Sequence, residues 1–305
     1  MKYLLIDLSY FVFYRYYAII NYMRMSTNIV PNLENVLEDD IFIFKFEEMF
    51  EKVILKLVKE YYNIKKLVSS NNDVQIIFAK DCCRTNIWRL KLFPLYKATR
   101  DHSKKKDKFD GKIFDYVYTV ILPKLKKKYS CIHELFVENA EADDCIAVLT
   151  DVINTTNSSN DIIIITNDND YLQLMDRVYG IYNLQGTSLR SKMLDNCSKK
   201  SMFSKILMGD PSDNIKGVLS KTKALKLLNT CDNVQDIDLI LKNNLSLLQQ
   251  EKLEINKQLI DFDNIPSEIR TNIISSYNDH TFINSHLCFC KSSIDEYEKN
   301  CTLPL

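Results

Sequence analysis

The chain's 305 residues carry 40 lysines and arginines against 40 aspartates and glutamates, and 46% of them are apolar. That is enough for an ordinary core in one large or two smaller domains, while zero net charge argues against nucleic-acid binding by bulk charge alone. No apolar run approaches the ~20 residues that span a bilayer, and the nine cysteines form no regular framework, so free thiols in a reducing, intracellular compartment are expected.

In chain order, Tyr3-Leu4-Leu5-Ile6 reads as a strand that meets Asp7 too early for a secretory signal. Residues 41–62 have helical length and periodicity, and 74–80 is a second strand candidate running into Asp81. Segment 82–128 is too long for a simple connection. It carries Arg84, Arg89, Lys97, Arg100 and the run Lys104-Lys105-Lys106-Asp107-Lys108, with Trp88 and Tyr96 interleaved; long insertions at a sheet's carboxyl end are commonly functional. Further strands are predicted at 131–137, 161–166 and 178–184, with a helix over 140–154. This alternation indicates an α/β fold with a mostly parallel central sheet. Beyond residue 190 strand signals fade and helices are predicted at 204–208, 221–228 and 234–259, which places a soft boundary near 190.

The densest signal is Ile162-Ile163-Ile164-Ile165-Thr166-Asn167-Asp168-Asn169-Asp170, an apolar run that ends in two aspartates. Strands buried on both faces belong to parallel sheets, whose functional loops lie at their carboxyl ends. Asp7, Asp81, and the trio Glu141, Asp143 and Asp144 follow the same plan, and carboxylates converging on one edge repel unless cations lie between them. A hard-metal site is therefore expected. Magnesium takes oxygen ligands and keeps several waters, and two ions about 4 Å apart activate a water and steady a leaving oxygen.

Taken singly, each acid group reads equally well as first-turn, N-cap or polar-loop residues, the last including Asp210-Pro211-Ser212-Asp213. Together these readings leave unexplained why 3–7, 74–81 and 161–168 all end in Asp. An EF-hand loop starting at Asp168 fails on spacing, and no Gly-rich phosphate loop, Ser-His-Asp or Cys-His pattern is present. His286-Leu287-Cys288-Phe289-Cys290, with His280 and Cys301 nearby, has poor spacing for zinc. Lysines gather at 104–108, 124–128, 199–200 and 216–226. A basic surface around an acidic centre suits a polyanion held by its backbone and cut at metal, although any single run also reads as a solvated face.

Five segments in order carry a family resemblance: Leu5-Ile6-Asp7-Leu8-Ser9 with Tyr14-Arg15-Tyr16-Tyr17-Ala18; Phe78-Ala79-Lys80-Asp81 with Arg84 and Pro94-Leu95-Tyr96-Lys97-Ala98-Thr99-Arg100; Glu141-Ala142-Asp143-Asp144; Asn167 to Leu174; and Gly209-Asp210-Pro211-Ser212-Asp213-Asn214-Ile215-Lys216-Gly217-Val218. The chain resembles the flap endonuclease and 5′–3′ exonuclease family. With Leu259-Ile260-Asp261-Phe262-Asp263-Asn264-Ile265-Pro266 and its length, it looks most like the phage replication ribonuclease H branch, which suggests a viral member acting in the host cell.

The resemblance implies a PIN-like nuclease core over 1–190, with helices on both faces of the sheet and a basic helical arch at 82–128. It also implies a helical C-terminal region over 191–305 with a degenerate helix-hairpin-helix segment at 204–228. Asp7, Asp81, Glu141, Asp143, Asp144, Asp168 and Asp170 would hold a metal pair, two Mg²⁺ ions or Mn²⁺ in their place, with Asp210 and Asp213 completing it. Lys97 and Arg100 match arch residues that contact the scissile phosphate, beside the catalytic Asp81 and Asp168. Arg15, Arg84, Lys216, Lys221 and Lys223 would contact nucleic acid; Tyr96 or Tyr10 is a candidate to stack on a displaced base, although a tyrosine more often packs in a core.

The family's glycine-rich hairpin is shortened to Gly217-Val218-Leu219-Ser220-Lys221-Thr222-Lys223, which puts K⁺ binding in doubt. The expected partner is DNA as a 5′-flap, nicked or gapped duplex, with an RNA/DNA hybrid admitted. No membrane and no sliding-clamp peptide within Ser292 to Leu305 are expected; a single-strand-binding protein is an admissible partner, and a monomer the expected state. The activity implied is two-metal phosphodiester hydrolysis near 5′ ends in replication and repair. Its alternatives are an RNA-preferring ribonuclease and a catalytically silent nucleic-acid-binding factor.

Overall fold

The computed structural model describes residues 1–26, 35–65, 74–100, 109–156, 161–231 and 236–279. The lysine run at 104–108, the Asn157–Asn160 loop, the His/Cys cluster and Ser292 to Leu305 lie outside the described residues. Five parallel strands, β1 (Lys2–Asp7), β2 (Val74–Lys80), β3 (Ile132–Phe136), β4 (Ile162–Ile165) and β5 (Gly180–Tyr182), form one sheet in the order β3-β2-β1-β4-β5. Ile6 lies beside Phe78 on one side and Ile165 on the other. This register brings the carboxyl ends carrying Asp7, Asp81 and Asp168 into one row. The chain order reverses about β1, where ligand crevices of such sheets open.

Both faces are covered, as an all-parallel sheet requires. On one face α1 (Leu8–Ser26), α2 (Asp40–Lys65) and the helical stretch from α4 (Lys112–Tyr116) through a π-turn to α5 (Leu122–Lys128) bury an aromatic-rich core containing Phe11, Phe42, Phe46, Phe50 and Phe78. On the other lie α6 (Ala142–Thr156), a 3₁₀ helix at Asn169–Arg177 and the last described helix, Ser267–Asp279.

Among the described residues after 190 helices predominate, as expected. They include α7 (Ser198–Met208), α8 (Lys221–Asn229), α9 (Ile237–Asn244), α10 (Leu247–Ile260) and α11 (Ser267–Asp279). The single helix expected over 234–259 is instead two, because Ser246 and Gln249 form a capping box that starts α10 afresh. The hydrophobic clusters run across residue 190. Cys82, Ile87 and Tyr96 pack with Phe203, Leu207 and Ile260, while Phe262, Ile269 and Ile273 join the core under α6. Thus α3 (Arg89–Leu92) and the turns that follow it rest on the C-terminal helices.

Cys82, Cys83, Cys145, Cys197 and Cys231 are free thiols, but Cys131 is in a disulfide, which corrects the expectation of free thiols at that position. No helix among the described residues is long and apolar enough to cross a membrane.

Candidate metal centre and its surroundings

Each strand end delivers its acid already held. Asp7 accepts from the Tyr10 amide (3.0 Å), the Thr166 hydroxyl and the Tyr171 hydroxyl (both 3.3 Å). Asp81 accepts from Ser9 Oγ (2.5 Å) and from the Ala142 amide (2.8 Å), so β2 is tied to the start of α6. Asp168 is exposed and caps the 3₁₀ helix by accepting from the Asp170 amide at 3.0 Å. Burial raises Asp7 to about 7, helped by the charges of Asp81 and Asp168 and opposed by the Tyr10 amide. Burial likewise lifts Asp81, and it lifts Asp143 well above the usual carboxylate range with help from Asp144. The charges of Lys97 on Asp81, and of Arg89 and Lys97 on Asp143, do not offset that burial.

Glu141 and Asp144, three residues apart at the start of α6, have a paired counter-charge. The Arg89 guanidinium, 2% exposed, donates Nη2–H to Asp144 Oδ1 (2.7 Å) and Nη1–H to Asp144 Oδ2 (3.0 Å) and Glu141 Oε2 (2.9 Å). Trp88 Nε1 also donates to Asp144 Oδ2, at 2.8 Å. Burial alone would raise Glu141, yet Lys97 and Arg89 outweigh it and hold the carboxyl below its ordinary value.

A second group assembles on the hairpin β6 (Gly209–Asp210) and β7 (Ile215–Lys216). Asp170, Asp210 and Asp213 each offer an oxygen within 4.8 Å of the others, as do Glu141, Asp143 and Asp144. Lys205 from α7 pairs with Asp170 and, at 2.8 Å, with Asp210. Burial raises Asp210, but Lys205 and the Ser212 hydrogen bonds prevail and lower it. The hairpin depends on glycine at both crossings. Gly209 has φ +75°, and a Cβ on it would lie 2.4 Å from Gly217 N; one on Gly217 would lie 2.3 Å from Met208 O.

The two groups meet at Tyr96 and Lys97. The Tyr96 hydroxyl, 3.1 Å from Glu141 Oε2 and 2.9 Å from Asp213 Oδ2, shares its proton between them. Tyr96 is therefore buried between acids, the packing alternative and not base stacking; Tyr10 receives the Leu184 amide at 3.0 Å. Lys97 pairs with Glu141 and approaches Asp213 at 3.8 Å, and Arg100 pairs with Asp213. Lys97 lies in a turn at φ 58°, outside any arch helix. Its amide donates to Asp213 O (3.0 Å), and its carbonyl receives Arg84. A non-glycine residue held left-handed stores strain of order 1–3 kcal/mol, a mark of sites where position matters.

The basic residues divide. Lys124 and Lys128 pair with Glu47 and Glu51 of α2, and Lys200 with Asp195, so those runs are largely neutralised. Lys216, Lys221 and Lys223 are exposed, with no carboxylate partner among the described residues. Arg15 stacks over Tyr14 at 4.8 Å and its buried Nε lacks a hydrogen-bond partner. Arg89 was named in the sequence without a role, and Lys205 was not singled out. Arg89 stood inside a flagged basic insertion, and Lys205 precedes Asp210 by five residues, but neither spacing declares a partner.

The family model for the 5′–3′ exonuclease N-terminal resolvase-like domain matches residues 2–205. Ribonuclease H of Enterobacteria phage T4 is 24% identical over 277 residues, covering 82% of this chain and 87% of that protein. A 5′–3′ exonuclease of Mycoplasmopsis pulmonis is 28% identical over 227 residues, 70% of each chain. In fold the chain is similar to the bacteriophage T5 flap endonuclease, in a complex with DNA and metal ions, with a TM-score of 0.57 and 17% identity over 98% of this chain and 97% of that one. The T5 5′-exonuclease with bound zinc gives a TM-score of 0.56 and 17% identity over the same shares.

Proposed function

The chain belongs to the 5′–3′ exonuclease family, and we propose that it is a structure-specific 5′ nuclease of DNA replication and repair. The observation that carries this reading is the row of acids from β1, β2, β4 and the head of α6 on one sheet edge, faced by a second acidic trio. Substrates would be flapped, nicked, gapped or RNA-primed duplexes, cut to leave 5′-phosphate and 3′-hydroxyl ends. The phage relative supports a viral origin.

The donor set fits a hard divalent cation. It offers carboxylate oxygens only, and burial holds Asp7, Asp81 and Asp143 toward their protonated forms until positive charge arrives. We assign Asp7, Asp81, Glu141, Asp143 and Asp168 to one Mg²⁺ and Asp170, Asp210 and Asp213 to the other, with Mn²⁺ able to substitute. Asp144, which groups with Glu141 and Asp143 but is fully buried against Arg89 and Trp88, is assigned as an anchor. Bound ions would supply an activated water and charge stabilisation at the leaving oxygen.

Lys97 and Arg100 stand at the mouth between the two groups. Cations placed there stabilise charge that develops on a transferring phosphoryl group. Arg84, which donates to Lys97 O, is assigned to the same rim, and Arg15 to phosphate positioning. The amides of Val218 and Leu219 both donate to Leu207 O. The hold on the uncut duplex is therefore assigned to Lys216, Lys221 and Lys223 with the N-terminus of α8, not to hairpin amides or a K⁺ ion. We assign the nuclease core to 1–190 and duplex binding to 191–305, from which α11 returns to cover one face of the sheet.

The test is cleavage of a 5′-flap duplex in Mg²⁺ by wild type and Asp168→Ala. Losing a metal-holding carboxylate should lower the rate about 100-fold or more; equal cutting by both proteins contradicts the assignment. Preference for RNA in hybrids is a second reading, favoured by the phage T4 relative's being a ribonuclease H. RNA-primed and all-DNA flaps compared at equal salt separate the two.

A further inference from the structure

Arg89 joins the acidic head of α6 to the C-terminal helix α10. Its fork grips Asp144 through two nitrogens and reaches Glu141, while Nε–H donates to the carbonyl of Leu259, near the end of α10, at 2.8 Å. Trp88 and Tyr96 cover the guanidinium from 4.6 and 5.9 Å. Asp144 Oδ2 in turn accepts the Glu141 amide at 3.1 Å, so both the side chain and the backbone of Glu141 are referred to this one cation. Arg89 is fully buried and touches neither the open side of the acid row nor the exposed lysines, which leaves it no route to the substrate.

We propose that Arg89 is a positioning residue that sets Glu141 for metal binding and locks the carboxylate edge to the C-terminal helices. The proposal rests on the metal-dependent reading above. A lysine at 89 keeps the charge but has one nitrogen. It cannot hold Asp144 by two bonds and Leu259 by a third. Groups that orient metal ligands from behind typically change metal affinity 10–100-fold when altered.

The experiment uses the full chain without DNA and follows Mn²⁺ binding by the electron paramagnetic resonance of the free ion. Arg89→Lys should bind Mn²⁺ about 10–100-fold more weakly than wild type. On a 5′-flap duplex it should regain kcat at high Mn²⁺ with KM for DNA within about twofold, since substrate contacts are untouched. Arg89→Lys binding Mn²⁺ as tightly as wild type would overturn the proposal, as would a loss appearing only in KM. If Arg89→Lys does not fold, Arg89→Met with Asp144→Leu removes both buried charges together and avoids a lone buried ion. That double variant should also bind weakly, and wild-type affinity in it would overturn the proposal. Wild type that binds no Mn²⁺ would overturn the metal reading itself, and this proposal with it.

Discussion

Among single residues, the acids show most clearly how burial and repulsion produce a function. Asp7 holds its proton to about 7 in the metal-free fold, against 3.8 in a free chain. Between those values the folded state binds more protons than the unfolded one, so metal-free stability falls as pH rises through the window. Melting in EDTA from pH 4.5 to 7.5 should show wild type losing stability relative to Asp7→Asn. Parallel curves would contradict the assignment of that proton to Asp7. The acids were legible because each follows an apolar strand run, a pattern that a parallel sheet converts into proximity. Arg89, Lys205 and the buried role of Tyr96 were not. Their partners lie 52 to 55, 35 and 5, and 45 and 117 positions away, and only the docking of α3, the turns after it and α7 onto the acid row creates those contacts.

Elements carry the acids into register, and two of them differ from what periodicity suggests. Strand β4 was legible from four consecutive isoleucines with a polar break, the signature of a strand buried on both faces. The split between α9 and α10 was not, because its hydrophobic period runs on through Ser246 and only the capping box interrupts it. The β6–β7 hairpin was legible as a motif, but its steric basis appears only in three dimensions, where α10 holds it by Asn256 to Lys216 O (3.1 Å) and Lys252 to Gly217 O (2.6 Å). Gly217→Ala would place a methyl group against Met208 O, and such overpacking costs about 1–3 kcal/mol. Urea unfolding should show that loss together with weaker Mn²⁺ binding by the trio that the hairpin completes with Asp170. An unchanged midpoint would show that the crossing has room to give.

At the scale of the molecule, strand order, face coverage and C-terminal helices combine into a single edge that faces outward with two acidic groups. The parallel α/β architecture was legible from alternating strand and helix signals, whereas the return of Phe262 and α11 to the sheet core was not, since a helix's apolar face does not name the surface it covers. The net charge of zero conceals this arrangement: acids are concentrated inward at the edge, several lysine runs are spent on α2 and on loop acids, and Lys216, Lys221 and Lys223 are left exposed. We propose that the two acidic groups are two cation sites. Crystals soaked in Mn²⁺ and measured at the manganese absorption edge test it most directly. Two anomalous peaks are expected, one among Asp7, Asp81, Glu141, Asp143 and Asp168 and one among Asp170, Asp210 and Asp213. Peaks elsewhere, or none at saturating Mn²⁺, would contradict it.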